Sequence, residues 1–414
     1  MAGAPKPSRR RVAVAIALLG LVGAWNGGNV GPVVEPIAAE FGVSLAVVGL
    51  LSGTCFLGAV MVGLLFAAPL GERTGIARGA RIACALTVLG NLAFALAPAL
   101  GGLLAGRVLV GLGFALANTI GAVWAREAGG LRLLGLFGAS IQLGIALALL
   151  TGSALADAGV DWRVGFMISA GIAAAAYASV PSWAPALPAA ASGERGFLRA
   201  AARHVRTYRL SLLFISIYGV PVILGAWLVE YLAREGDAAT AVAGVAAFLL
   251  FALSAATRIL GSQLKQRGAP HRLLTGALGL AAVGVAALAL DPAIALAFGC
   301  VVVAALGFGI PYATALAEAQ DLYPQAPAEP VALMTLFALA PATIAIPLFG
   351  HALSRGAGDV AMWAIAAFLL AAAAANLRPT GIPLAGPGGS PGHGSAAATA
   401  SNLRSEPPQA RTTR

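Results

Sequence analysis

The fold class that this sequence predicts is an all-α membrane protein with 12 transmembrane helices in two six-helix halves. Three observations predict it. The 414-residue chain is 59% hydrophobic and only 10% charged, and its apolar residues gather into twelve runs of about 20. That is the length of helix that crosses a hydrocarbon core of about 30 Å. Of its 26 Lys and Arg, 22 fall in segments that share one side of a membrane if every run crosses it. The longest internal connection, about residues 184–207, separates six runs from six. Strands are excluded because the runs are continuous and not alternating ten-residue segments, and a helix pairs its own backbone amides in lipid.

The runs follow in order. The first, 12–34, comes after Lys6 and Arg9 to Arg11 and contains Trp25 and Asn26 with no cleavage-site pattern, so it reads as a retained helix and not a signal peptide. The second and third, 45–68 and 79–98, flank a basic turn with Arg73, Arg78 and Arg81. Arg126 and Arg132 separate the fourth, 101–125, from the fifth, 133–156. The sixth, 163–183, runs out at Pro181, Pro185 and Pro188, which cannot continue a helix. Arg195, Arg199, Arg203, Arg206 and Arg209 precede the seventh, 208–232. The eighth, 240–262, meets a basic connection counted as Arg258, Lys265, Arg267 and Arg272. The last four runs are 272–290, 293–317, 330–351 and 358–377. The opposite connections carry Glu35, Glu40, Asp157, Asp161, Asp237, Asp291 and Asp359. By the positive-inside rule the basic side is cytoplasmic, with both termini on it.

The expected organisation is therefore a cytoplasmic N-terminal segment 1–11, a six-helix half 12–183, a cytoplasmic loop 184–207, a second half 208–377 and a disordered cytoplasmic tail 378–414, rich in Gly, Pro, Ser and Ala. The net charge of +10 would suggest nucleic acid in a soluble protein. Here the basic residues sit in short loops that set topology and meet the lipid bilayer, so no nucleic acid is expected. Cys55, Cys84 and Cys300 are scattered through apolar runs, which makes them packing residues and gives no metal-ligand spacing. No Gly-rich phosphate loop ends in Lys-Ser/Thr, and no His/Glu/Cys constellation forms a catalytic centre. The expectation is no enzyme, no cofactor and no metal.

Two segments carry a family resemblance. Ala68-Pro69-Leu70-Gly71-Glu72-Arg73-Thr74-Gly75 resembles the loop signature of the major facilitator superfamily, in which Gly, three residues, then Asp-Arg-x-Gly-Arg-Arg/Lys follow the second helix. Ala68 stands for the first Gly, Glu72 for the Asp, and Ile76 and Ala77 for the basic pair. The resemblance implies that Glu72, Arg73 and Gly75 form a gating loop, its carboxylate capping a neighbouring helix end. Arg107-Val108-Leu109-Val110-Gly111-Leu112-Gly113-Phe114-Ala115 is similar to the family's Arg-x-x-Gln-Gly-x-Gly-x-Ala, with Val110 in place of Gln. Asp161-Trp162-Arg163-Val164-Gly165-Phe166 looks like the element that enters the sixth helix in the family. The Gly-Pro pair of the antiporter branch is missing from the fifth run, which offers Gly144 and Gly152. The implied fold is the major facilitator fold, and drug exporters are the implied relatives.

An arginine inside a membrane helix demands water, a carboxylate or carbonyls. Arg107 either faces a cavity, with Gly111 and Asn118 on its face at i+4 and i+11, or snorkels to the headgroups. Trp25, Asn26 and Asn29 in the first helix, Asn118 in the fourth and Gln142 in the fifth are candidate substrate ligands or interhelical hydrogen-bond partners. Tyr218 and Tyr312 would line the second half of the cavity or pack. For coupling, the candidates are Arg107, Glu35 and Glu230, with Glu318 near the inner end of the tenth helix. The expected function is secondary active transport by alternating access. The leading form is proton-coupled efflux, as an antiporter, of a small partly hydrophobic compound. Uptake or exchange of a small organic anion is the alternative, and a non-transporting membrane sensor is the alternative of another class. The expected setting is a monomer in a prokaryotic plasma membrane.

Overall fold

A computed structural model describes residues 8–43, 45–181, 205–290, 293–322 and 328–377. The expectations for the central loop through residue 204, for Asp291 and for the tail from 378 lie outside these described residues. Among them the chain is helical throughout, with no strand.

Helix α1 (Arg9–Trp25) is capped by the Ser8 hydroxyl, which accepts from the Arg11 amide. It stops at Trp25, earlier than the predicted run, because Asn26 folds back to donate to Val22 O (3.1 Å) and Gly27 and Gly28 follow. A short 3-10 turn (Gly31–Val33) leads into α2 (Val34–Phe41). Next come α3 (Leu45–Leu50), a π turn (Leu51–Cys55) and α4 (Phe56–Thr74) as one rod. Gly75 alone joins it to α5 (Ile76–Ala95), at φ +77, a backbone conformation that favours glycine. Helix α6 (Leu100–Asp157) is 58 residues long but breaks at Gly129 and Gly130, where the sequence separates the fourth and fifth runs.

Helix α7 (Arg163–Ser179) completes the first half. The second comprises α8 (Val205–Phe214), a second π turn (Ile215–Gly219), α9 (Val220–Arg234), α10 (Thr240–Gln266), α11 (His271–Gly276), α12 (Leu278–Leu290), α13 (Ile294–Gly309), α14 (Tyr312–Leu322), α15 (Ala328–Ser354) and α16 (Gly358–Ala375). Pro311 lacks the amide that would fuse α13 to α14, so the tenth predicted run bends there.

Nine helices or helix rods among the described residues are long and apolar enough to cross a membrane. The broken α6 supplies two passages, α7 is a shorter apolar helix of 17 residues, and α1, also of 17, is apolar after its three leading arginines. This agrees with the predicted twelve crossings.

Helix α6 packs against α1, α4 and α5, while α13 packs against α10 and α12. The two sets meet where α6 lies along α10 and α4 along α15. Small residues allow these approaches. Gly111 lies against the Phe56 and Ala59 backbone region and Gly113 against Ala83 and Thr87. Across the halves, Gly135 faces Ser262 and Gly138 faces the Tyr312 ring.

Two predicted loop cations are corrected. Arg258 lies inside α10 and is 1% exposed, because α10 runs on to Gln266 and carries it two turns into the bundle. Arg206 is buried within the first turn of α8.

At the acidic end, Trp162 packs edge-on against Phe41, Phe94 and Phe166. Its indole donates to Glu40 Oε2 (2.8 Å), and Arg163 grips the same carboxylate with both Nη atoms, one at 2.7 Å. Arg163 and Trp162 hold the Glu40 carboxyl down at about 2, against 4.5 for a free one. A lowered folded-state value stabilises the fold above the unfolded one. The contribution of Glu40 is thus complete above about pH 4.5 and is lost as pH falls toward about 2. Thermal unfolding of wild type and Glu40→Gln should therefore differ at pH 7 and converge as the pH drops through that window. A constant difference would contradict the pairing.

Candidate functional site

The sequence candidates separate into two buried groups. The first surrounds Arg107, which is 2% exposed, so snorkelling is excluded. Its Nη2 donates to Asn26 O (3.0 Å), its Nη1 to Asn29 Oδ1 (3.3 Å) and its Nε to Leu51 O (3.4 Å). The guanidinium also lies 4.5 Å from the Phe56 ring centroid, a favourable cation–π position. Asn29 Nδ2 and Ser169 Oγ both donate to Asn26 Oδ1. The two asparagines thus lie just past the helix end and not on one helical face, and they meet through hydrogen bonds inside the first half. Trp25 is buried beside them, and with Asn29 it borders a small cleft that includes Thr151, Gly152 and Trp162.

Asn118 lies about 16 Å further along α6 by helical rise, and it belongs to the second group, which spans the halves. Tyr218 Oη donates to Asn118 Oδ1 (3.4 Å) and shares a hydrogen bond with Tyr312 Oη (3.1 Å). Gln142 Nε2 donates to Ser254 Oγ of α10 (3.1 Å). Arg258, which the sequence reading assigned to a loop, is at the centre. Its Nη1 donates to Gly138 O of the other half (2.7 Å) and its Nη2 to Ile217 O (3.2 Å). Its guanidinium lies 4.0 Å from the Tyr312 ring centroid and 5.7 Å from that of Tyr218. Buried Arg258 Nε and Asn118 Nδ2 have no hydrogen-bond partner.

Both arginines use the same device. Leu51 O and Ile217 O belong to the two π turns, where the i→i+4 ladder is interrupted, and Leu51 O also accepts from the Phe56 amide. Each buried guanidinium takes one of them. Among the described residues neither arginine meets a carboxylate. The described ion pairs lie towards helix ends: Arg126 with Asp321, Arg163 with Glu40 and Asp161, Arg234 with Glu230, and His271 with Glu318.

The remaining candidates lie outside both groups. Glu230 is half-buried and pairs with Arg234 one turn away on α9. The side chain of Glu35 lies outside the described residues. Glu72 and Arg73 are exposed in the last turn of α4, with Gly75 as the hinge to α5. At the same, basic end Arg126 joins the halves, donating to Gln320 Oε1 (2.7 Å), Ala317 O (3.2 Å) and Asp321 Oδ1 (2.6 Å).

A bundle of long apolar helices among the described residues, with a polar cluster buried between its two halves, has the architecture of a polytopic membrane protein. The sequence profile of the Major Facilitator Superfamily matches residues 16–332. The chain belongs to that family, and so is a membrane transporter and not an enzyme. Among solved structures it resembles a D-xylose-proton symporter, with a TM-score of 0.67 at 16% identity over 88% of this chain and 96% of that one. It also resembles a bacterial homologue of the human lysosomal transporter Spinster, inward-facing and unoccupied, with a TM-score of 0.63 at 18% identity over 90% of this chain and 97% of that one. At these identities the likeness is one of fold. In sequence it is 29% identical over 160 residues to a probable plastidic glucose transporter 3 of Arabidopsis thaliana, covering 37% of this chain. The matched stretch spans about a third of that relative, 32% of its length.

Proposed function

We propose that the chain is a secondary active transporter that takes one small organic anion at the Asn118, Gln142, Tyr218, Arg258 and Tyr312 cluster and passes it across the cell membrane by alternating access. One observation carries the choice of solute. Arg258 is buried between the halves, meets no carboxylate among the described residues, and keeps its Nε without a hydrogen-bond partner. A charge held in a low-dielectric interior attracts a counter-charge strongly, whereas a hydrophobic solute would leave it unpaired. Uptake or exchange of an anion is therefore better supported than efflux of a hydrophobic compound.

The proposed coupling ion is a proton. Glu230 pairs with Arg234 and Glu318 with His271, both outside the cluster, so the solute's own carboxyl and Glu35 are the carriers proposed for that proton. The exposed Arg9, Arg10, Arg73, Arg78, Arg267 and Arg272 support a cytoplasmic basic end and cytoplasmic termini. A monomer suffices, because both faces of the site come from one chain.

The test is proteoliposomes holding a pH-sensitive dye, exposed in turn to small organic acids and to amphipathic neutral or cationic compounds. Acid-induced flux above that of protein-free vesicles, abolished by Arg258→Gln, is expected. Flux with the amphipathic compounds alone, unchanged in Arg258→Gln, would return the assignment to hydrophobic efflux. Ligand binding with no flux or counterflow would indicate a sensor.

A further inference from the structure

We infer that the anion is a small monocarboxylate, recognised by Arg258 between the two tyrosines; this rests on the transport reading above. The charge balance of the cluster sets the valence. Among the described residues Arg258 is its one cation, and its polar neighbours Tyr218, Tyr312, Asn118, Gln142 and Ser254 are neutral side chains. One negative charge neutralises such a site, whereas a phosphate dianion would leave a second charge buried without a partner.

The donor inventory sets the chemistry. Arg258 Nε is buried and unpartnered, and so is Asn118 Nδ2 with its amide oriented so that Oδ1 meets Tyr218. These are donors in need of acceptors. A carboxylate offers about four acceptor positions in a plane that matches the guanidinium fork. The aromatic faces of Tyr218 and Tyr312 and the side chain of Phe214, stacked on Tyr218, suit an apolar body attached to it.

The state in hand is closed at this point, because Arg258 Nη1 holds Gly138 O from the opposite half. Separation of the halves breaks that bond and frees Nη1 beside Nε. The carboxylate therefore meets more donors in an opened form than in the closed one. Gly138 O takes the place of one solute oxygen when the carrier closes empty.

The experiment is thermal unfolding of the full purified chain with paired probes: benzoate and benzamide, nicotinate and nicotinamide, butyrate and butyramide, lactate and lactamide. At least one acid is expected to stabilise saturably at a concentration at least about tenfold below its amide, a difference of about 1.4 kcal/mol. Arg258→Gln should lose that preference and Arg258→Lys, which keeps the charge without the fork, should retain part of it. Arg234→Gln, on an exposed pair, should match wild type. If Arg258→Gln does not fold, the Arg258→Lys titration decides, and unchanged affinity there overturns the proposal. Amides that match their acids, acids still preferred by Arg258→Gln, or no stabilisation by any acid would each overturn it too. Counterflow of neutral probes alone would sink the carboxylate while leaving transport intact, so the two readings fail separately.

Discussion

Gly138→Ala is expected to cut the rate of solute counterflow by about fivefold or more while leaving the protein folded. In the closed form Gly138 faces the ring of Tyr312, and a methyl group there would overlap that ring. Tyr312 cannot retreat easily, since it is fully buried, hydrogen-bonded to Tyr218 and covered by Arg258. Overpacking a tight contact costs about 1–3 kcal/mol, or a shift of roughly fivefold to 150-fold between closed and open forms. The strain falls on closure and not on folding, because the two residues belong to different halves. Gly165→Ala, where an added methyl meets open space, is the matching control. Equal rates for both variants would show that the halves do not close on Gly138 during transport.

Arg107→Ala is expected to destabilise the first half by about 3–5 kcal/mol, through three lost buried hydrogen bonds and the cavity a truncated large side chain leaves. Asn26 O, Asn29 Oδ1 and Leu51 O would each lose a buried donor, at about 1–3 kcal/mol apiece before relaxation. Arg107 pins the end of α1 to the π turn before α4, so its loss should lower folded yield and melting temperature together. Arg107→Lys should recover part of the stability, since an ammonium cannot span three acceptors on a fork. A variant that melts like wild type but fails to transport would make Arg107 a coupling residue and not the positioning residue its contacts describe.

The crossings were legible in the sequence because hydropathy and basic loops record the solvent around each residue. Arg107 was legible too, through its unlikely place in an apolar run and the motif around it. Arg258 was not, although the predicted eighth run, 240–262, contains it. It lies within ten residues of Lys265 and Arg267, and a count by connection folds it in with them. Its distance from the helix end at Gln266, about two turns or 12 Å, is the signal that separates it.

The end of α1 was signalled by Gly27 and Gly28 after Asn26, but an apolar average carries the run past them. The π turns left no mark in composition, since one extra residue per turn changes hydrogen bonding and not hydropathy. Tyr218 and Tyr312 stand 94 positions apart, and only the packing of the halves joins them to Asn118 and Arg258.

The central claim is that one buried cluster opens in turn to each side of the membrane. It is tested most directly by placing a single cysteine at Ser254, in a chain whose Cys55, Cys84 and Cys300 are replaced by alanine. This variant is then labelled with a membrane-impermeant thiol reagent in right-side-out and inverted vesicles. Labelling from both sides, slowed by a bound carboxylate, is the result predicted. Labelling from one side only, or from neither, would contradict alternating access at this site.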